Sequence, residues 1–226
     1  MKPARRVVTT SPKRTVGLIN CSWFQDRPIE HESRLEKHFV HRALLFPGLI
    51  TIHHQPFKLI LKGSGKHYTP DFLLTFANGE RLVIEVKRSE RIKALKIRLD
   101  EIAGLLREKQ IPYFVVHQGQ IEGQRRAERA GLLRRYAMLK TAPEITAQVV
   151  ELVNQKTKGV SIAFLMRKFS LSELQVFHLI ARRHITLGPG LLLSKDDLIF
   201  PVNKEIQNAA IQFGTWFGCA PWRAAA

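Results

Sequence analysis

Between residues 30 and 45 the apolar side chains Leu35, Phe39, Val40 and Ala43 recur at helical spacing, and Pro47-Gly48 ends the pattern. Residues 49–62 alternate weakly around Pro56 and read as one or two strands. Two stronger strand-like runs follow, 67–76 and 81–87, joined by Ala77-Asn78-Gly79, which is a hairpin signal. Ile92, Leu95, Leu99, Ile102 and Leu106 then lie on one stripe of a helix over 89–109, and residues 111–117 form a short apolar strand. A strand, a long helix and another strand make a crossover unit, so the last two strands should be parallel. A basic helix is expected over roughly 122–139. Beyond Thr141-Ala142-Pro143 come three shorter helical patterns, 144–155, 160–168 and 171–183, the last opening on a capping-box signal at Ser170-Leu171-Ser172-Glu173. Residues 185–200 alternate around Gly188-Pro189-Gly190 like a small hairpin.

These elements predict an α/β domain with a mixed sheet over 31–140, preceded by a basic extended arm over 1–30. Three helices and a hairpin over 141–202 have the outline of a winged helix, a small α+β domain. Residues 203–226 form a tail whose Phe213, Trp216, Phe217 and Trp222 either anchor a partner protein or pack back onto their own domain. Helix 171–183 would be the reading helix of a DNA-binding winged helix, although most of it is apolar enough for a core.

Charge narrows the classes of function. The chain has 226 residues, 36 of them Lys or Arg against 19 Asp or Glu, a formal charge of +17. Such an excess attracts polyanions and repels itself without one. Residues 1–25 carry five basic side chains and no acid, and Arg88, Arg91, Lys93, Lys96 and Arg98 crowd one short stretch. A second group is Arg125, Arg126, Arg129, Arg134, Arg135 and Lys140. Nucleic acid is the expected partner, with Arg88, Arg91 and Lys93 the candidate DNA contacts. No run of eighteen apolar residues occurs, so no membrane-spanning helix is expected, and no apolar stretch follows the basic N-terminus as a secretory signal would require. Cys21 and Cys219 alone build neither a disulfide framework nor a zinc site, which predicts a cytoplasmic setting. The paired His53-His54 point to opposite faces of a strand, and His31, His38 and His41 lack an evident third ligand; zinc is discounted.

The chemistry lies in the hairpin. A three-residue loop 77–79, with Gly79 in the left-handed position, sets Asp71 opposite Glu85. Phe72, Leu74, Phe76, Leu82, Ile84 and Val86 then share one face, while Asp71, Thr75, Arg81, Glu85 and Lys87 share the other with Leu73 and Val83. A two-residue loop would mix charges into the apolar face, so the longer loop is preferred. Two carboxylates on the order of 5 Å apart repel one another unless a cation lies between them. Hard oxygen ligands suit Mg²⁺, with Mn²⁺ a substitute, and such an ion orients a phosphodiester and activates water. Lys87 would position the water or stabilise developing negative charge. The plainer alternative is a surface hairpin whose acid pair Lys87 balances.

Pro70-Asp71…Glu85-Val86-Lys87 resembles the PD-(D/E)XK nuclease motif. The ordered set Ser33-Arg34-Leu35-Glu36, Gln55-Pro56, Tyr68-Thr69-Pro70-Asp71-Phe72, Ile84-Glu85-Val86-Lys87 and Lys109-Gln110-Ile111-Pro112-Tyr113-Phe114 is similar to the TnsA endonuclease family of heteromeric cut-and-paste transposases. The compact size is similar to that of its CRISPR-associated branch. The resemblance implies a restriction-endonuclease-like mixed sheet flanked by helices. It implies a Mg²⁺-dependent endonuclease that hydrolyses the non-transferred strand at transposon 5′ ends. Glu36, Asp71 and Glu85 would be metal ligands with the Val86 carbonyl, and Lys87 the catalytic lysine. The implied partners are double-stranded DNA, an integrase-type transposase and an AAA+ ATPase regulator, the last two engaged through the C-terminal region. Glu36 has a second explanation as the acid of a Ser33-x-x-Glu36 capping box, and Glu32 is the competing acid one turn earlier. Rival functions are a stand-alone restriction or repair nuclease and a non-catalytic winged-helix DNA-binding regulator.

Overall fold

The computed structural model describes residues 15–63, 65–203 and 206–223. In chain order the elements are β1 (Gly17–Ile19), β2 (Ile29–His31), α1 (Arg34–Ala43), β3 (Leu49–His54), β4 (Leu59–Ile60), β5 (His67–Tyr68), β6 (Phe72–Phe76) and β7 (Arg81–Lys87). Next come α2 (Ser89–Glu108), β8 (Tyr113–His117), α3 (Gln118–Glu122), α4 (Arg126–Tyr136) and α5 (Pro143–Asn154). The remainder are β9 (Val160–Ser161), α6 (Ile162–Phe169), α7 (Glu173–Ala181), β10 (Thr186–Leu187), β11 (Leu198–Phe200) and α8 (Ala209–Phe217). The chain is thus mixed α/β. It divides into two compact units, one made of residues up to 39, 48–121 and 206 onward, the other of 40–47 and 122–203.

The first unit is built on a four-stranded sheet of order β3-β6-β7-β8, in which only the β7–β8 pair is parallel. The parallel pair follows from α2, a crossover too long for a hairpin. Pairing Phe72 with Ile84, Leu73 with Val83 and Leu74 with Leu82 gives the register predicted from the segregation of charge. Gly79 has φ +83°, and the Phe76 amide donates to the Glu80 carbonyl across the three-residue loop. A side chain at that φ is strained, so Gly79→Ala is expected to cost about 1–2 kcal/mol, measurable by urea denaturation.

Alternation along the strands produces two buried faces. Phe72, Phe76 and Phe114 lie on one, packed with Phe39 of α1 and with Phe213 and Phe217 of α8; Phe39 stacks on Phe72 at 5.3 Å between ring centroids, and Phe213 approaches Phe76 at 5.9 Å. A β-carbon added to Gly214 would stand 2.4 Å from the Phe114 ring, so only glycine lets α8 lie this close to β8. Leu73, Val83, Tyr113 and Val115 lie on the opposite face beneath Leu99, Ile102, Ala103 and Leu106 of α2.

Several expectations need amendment. Within the stretch read as an extended arm, β1 and β2 pair antiparallel and bury Ile19 and Ile29; the basic residues 1–14 lie outside the described residues. The 67–76 run is two strands, because Pro70 offers no amide to a continuous ladder. The supposed tail is a working part of the first unit: Phe213 and Phe217 sit in its core, and the Trp222 indole donates to Asp100 at 2.7 Å. Those side chains are spoken for at home. The basic helix expected over 122–139 is shorter, running as α4 from Arg126 to Tyr136 after a 3₁₀ turn at Gly123–Arg125, and it belongs to the second unit.

That second unit packs α4 to α7 with a three-stranded sheet of order β10-β11-β9. The capping box opening α7 is Ser172 with Gln175; Ser170 instead closes α6 in a left-handed conformation. All six residues from Val176 to Ala181 are buried, the core role that the apolar composition of this helix implied. No helix among the described residues is long and apolar enough to cross a membrane.

Candidate active site

Glu85 leaves β7 on the α2 side of the sheet, and Lys87 follows two residues later on the same face. Asp71 lies just before β6, opposite Glu85 by continuation of the register. Its Oδ2 accepts the Val86 amide at 2.8 Å and the Lys87 ammonium at 3.3 Å. That ammonium also contacts the Glu85 carboxylate and the Val86 carbonyl, the latter at 3.2 Å. The two acids therefore aim at one point, and Lys87 stands there.

Glu85 is only 2 % exposed, and its second oxygen accepts the Tyr68 hydroxyl. The break at Pro70 makes this contact: it ends β5, placing Tyr68 beneath α2 and returning Asp71 to the hairpin. Burial and the neighbouring Asp71 charge push the Glu85 carboxyl up to about 7, outweighing its bonds to Lys87 and Tyr68. Lys87 is pushed upward too, because two facing carboxylates outweigh its own burial. Burial first, then the carboxylates, also hold the Tyr68 phenol well above its ordinary value. These directions are mutually consistent. Two acids and one amine carry a surplus negative charge, so the amine keeps its proton and one acid tends to regain one.

Glu36 fills the capping-box role proposed for it. Its Oε1 accepts the Ser33 hydroxyl at 2.8 Å and its Oε2 the Glu32 amide at 2.7 Å, while the Glu36 amide donates to Ser33 Oγ at 3.1 Å. The carboxylate is thereby turned back to cap α1. It still feels its acidic neighbour: burial, then the Asp71 charge, raise it to about 7. Among the described residues no three His, Cys, Asp or Glu side chains assemble as a metal-binding group, so the expected set of Glu36, Asp71 and Glu85 reduces to Asp71 and Glu85 in one place. The competing Glu32 lines the cleft instead.

That cleft, about 330 Å³, runs from Asp71, Glu85 and Lys87 past Tyr68 and Gln55 to Leu95, Arg98 and Leu99 of α2. Gln55, buried and left-handed at φ 41°, donates its amide to the Asp71 carbonyl at 2.9 Å. Strain held beside a reactive group is a common feature of functional sites. Arg88, Arg91 and Lys93 are exposed at the start of α2 and do not line the cleft; Arg88 lies 4.0 Å from Glu90. His54 is structural: its Nδ1 accepts the Glu30 amide at 3.1 Å, and the Glu30 carboxylate lies 3.4 Å from its Nε2.

The donor set of Asp71, Glu85 and the Val86 carbonyl is all oxygen, which suits a hard divalent ion. Burial first, and the Asp71 charge after it, raise the Glu85 and Glu36 carboxyls, and a cation beside Asp71 would offset the second of these. In chemistry and charge these residues fit Mg²⁺. Sequence reasoning found Asp71, Glu85 and Lys87 but not Tyr68, Gln55 or Arg98 as parts of the same cleft. The chain matches no protein-family model and no curated protein sequence.

Proposed function

We propose that the protein is a metal-dependent DNA endonuclease of the PD-(D/E)XK kind. In this reading it is the TnsA-like subunit of a heteromeric transposase and hydrolyses the non-transferred strand at transposon 5′ ends. The observation that carries the reading is the convergence of Asp71 and Glu85 on Lys87 across a hairpin in the motif's register. The first unit is read as a restriction-endonuclease-like core and the second as a winged-helix-like domain, supported by its helices and its β10-β11-β9 sheet.

Asp71 and Glu85, with the Val86 carbonyl, would hold Mg²⁺, which when bound lowers the pKa of water and screens phosphate charge. Asp71 is pre-oriented by the Val86 amide, and Glu85 by the Tyr68 hydroxyl, so neither needs to be ordered on binding. Lys87 holds its proton between two acids and is placed to stabilise charge on a pentavalent phosphate. The +17 charge provides the long-range attraction for DNA.

Plasmid nicking in Mg²⁺ or Mn²⁺ tests the hydrolase. Excision reconstituted with transposase and ATPase subunits tests the strand choice, where cuts are expected at the 5′ ends only. Unselective cutting of plain DNA would favour the restriction or repair reading, and binding without any cutting would favour the regulator. Glu36→Gln is expected to slow cleavage roughly 10–100-fold, by analogy with outer partners of metal sites. Glutamine keeps an oxygen for the Glu32 amide and leaves the Ser33 cap on the Glu36 amide in place, so the fold should be retained. Glu32→Gln should slow cleavage less than Glu36→Gln, and the reverse order in a nicking time course would transfer the third acid's role to Glu32.

A further inference from the structure

The cleft has two walls. The hairpin wall carries Asp71, Glu85 and Lys87, and the α2 wall carries Leu95, Arg98, Leu99 and Ile102. Lys87 is committed to the two acids beside it and leaves that wall negative. A bound Mg²⁺ would offset that charge at the reacting phosphate, but the neighbouring phosphate of the strand needs positive charge from elsewhere.

Arg98 supplies that charge. Its guanidinium lies 5.1 Å from the centre of the Tyr68 ring, the same Tyr68 whose hydroxyl is fixed on Glu85. The four acids of α2 are all engaged away from it. Glu90 faces Arg88, Asp100 holds Lys96 and the Trp222 indole, Glu101 accepts the Gly63 amide, and Glu108 pairs with Lys62. Among the described residues Arg98 has no carboxylate partner. A guanidinium resting on an aromatic face keeps its in-plane N–H groups available, and their fork matches two phosphate oxygens.

We propose that Arg98 binds a DNA backbone phosphate next to the one presented to Asp71, Glu85 and Lys87, with Tyr68 as its platform. This deepens the nuclease reading and rests on it, since it assigns the residue that holds the strand in the cleft. Tyr68 would serve both walls at once, its ring orienting the phosphate contact and its hydroxyl fixing Glu85.

The test reads binding before cleavage. Full-length protein is titrated against a fluorescent DNA duplex in Ca²⁺ across a series of salt concentrations, for wild type, Arg98→Ala, Arg98→Lys and Arg107→Ala. Arg107 lies further along α2 and removes the same charge outside the cleft. Arg98→Ala is expected to weaken binding roughly tenfold at low salt and to reduce the slope of log K against log salt by about one. Arg98→Lys should keep the slope and lose part of the affinity, because an ammonium lacks the fork. Arg107→Ala should stay near wild type. The proposal is overturned if Arg98→Ala binds like wild type, if Arg107→Ala loses as much, or if wild type does not bind DNA. An Arg98-dependent complex that is never cut in Mg²⁺ would strike the nuclease reading and leave the contact standing. A wild type that cuts, beside an Arg98→Ala that binds and cuts equally well, overturns the contact alone.

Discussion

Asp71→Asn is expected to lower the rate of strand cleavage about 10³-fold while leaving the fold in place, equivalent to about 4 kcal/mol of lost transition-state stabilisation. Asparagine keeps an oxygen for the Val86 amide, which now donates to Asp71 Oδ2 at 2.8 Å. What disappears is one of two charges that would hold a divalent ion and that keep Lys87 protonated. Lys87→Met should cost a similar factor, because it removes the cation facing the phosphate and leaves Asp71 and Glu85 to repel each other unscreened. The double variant is expected to be little worse than either single one, since residues acting as a unit are far from additive. Single-turnover nicking, with thermal melts as the control for folding, measures all three. If Asp71→Asn retains a tenth or more of the wild-type rate, the hairpin is not the reaction centre.

How much of this could be read from the residues depends on range. The register of β6 against β7 was legible because a slip of one residue would bury Asp71 or Glu85 among Phe72, Leu74 and Ile84, and because Gly79 marks the left-handed position. The acid pair and its lysine followed from that register. Tyr68 was hidden by reading 67–76 as one strand; Pro70, already visible, was the signal for a break. Arg98 was counted in a basic cluster, yet its place over the Tyr68 ring depends on how α2 lies across the sheet. The return of α8 to the first sheet was further out of reach. Phe213 and Phe217 have helical i,i+4 spacing, but nothing local says that they pack against Phe39 and Phe76, more than a hundred residues earlier. The discontinuity of both units has the same origin, for local periodicity reports which face is buried and not what covers it.

Glu85→Gln should reverse its effect on stability between acid and alkaline solution. The folded carboxyl keeps its proton to about pH 7, whereas its ordinary value is 4.5, so the folded state holds more protons across that interval. Stability contributed by that proton is complete below about pH 4.5 and drains away as pH rises to 7. The shift corresponds to about 3 kcal/mol. Histidines 31, 53, 54 and 178 act in the opposite sense: burial lowers all four, so their neutral forms add stability as pH climbs towards 6.5. The wild-type profile alone is therefore a composite, and the comparison with the variant isolates Glu85. Glutamine resembles the protonated acid: it keeps an oxygen for the Tyr68 hydroxyl and carries no charge into a site 2 % exposed. At pH 5 it should be no better than wild type, since it loses the contact with Lys87. Between pH 5 and pH 8 the difference in stability should move by about 3 kcal/mol in the variant's favour, roughly 6–12 °C in Tm for a chain of this size. Thermal melts of both proteins in metal-free buffer across that range measure it. Parallel curves would mean that Glu85 is ionised throughout and that Lys87 alone neutralises it, and the case for a cluster short of positive charge would be lost.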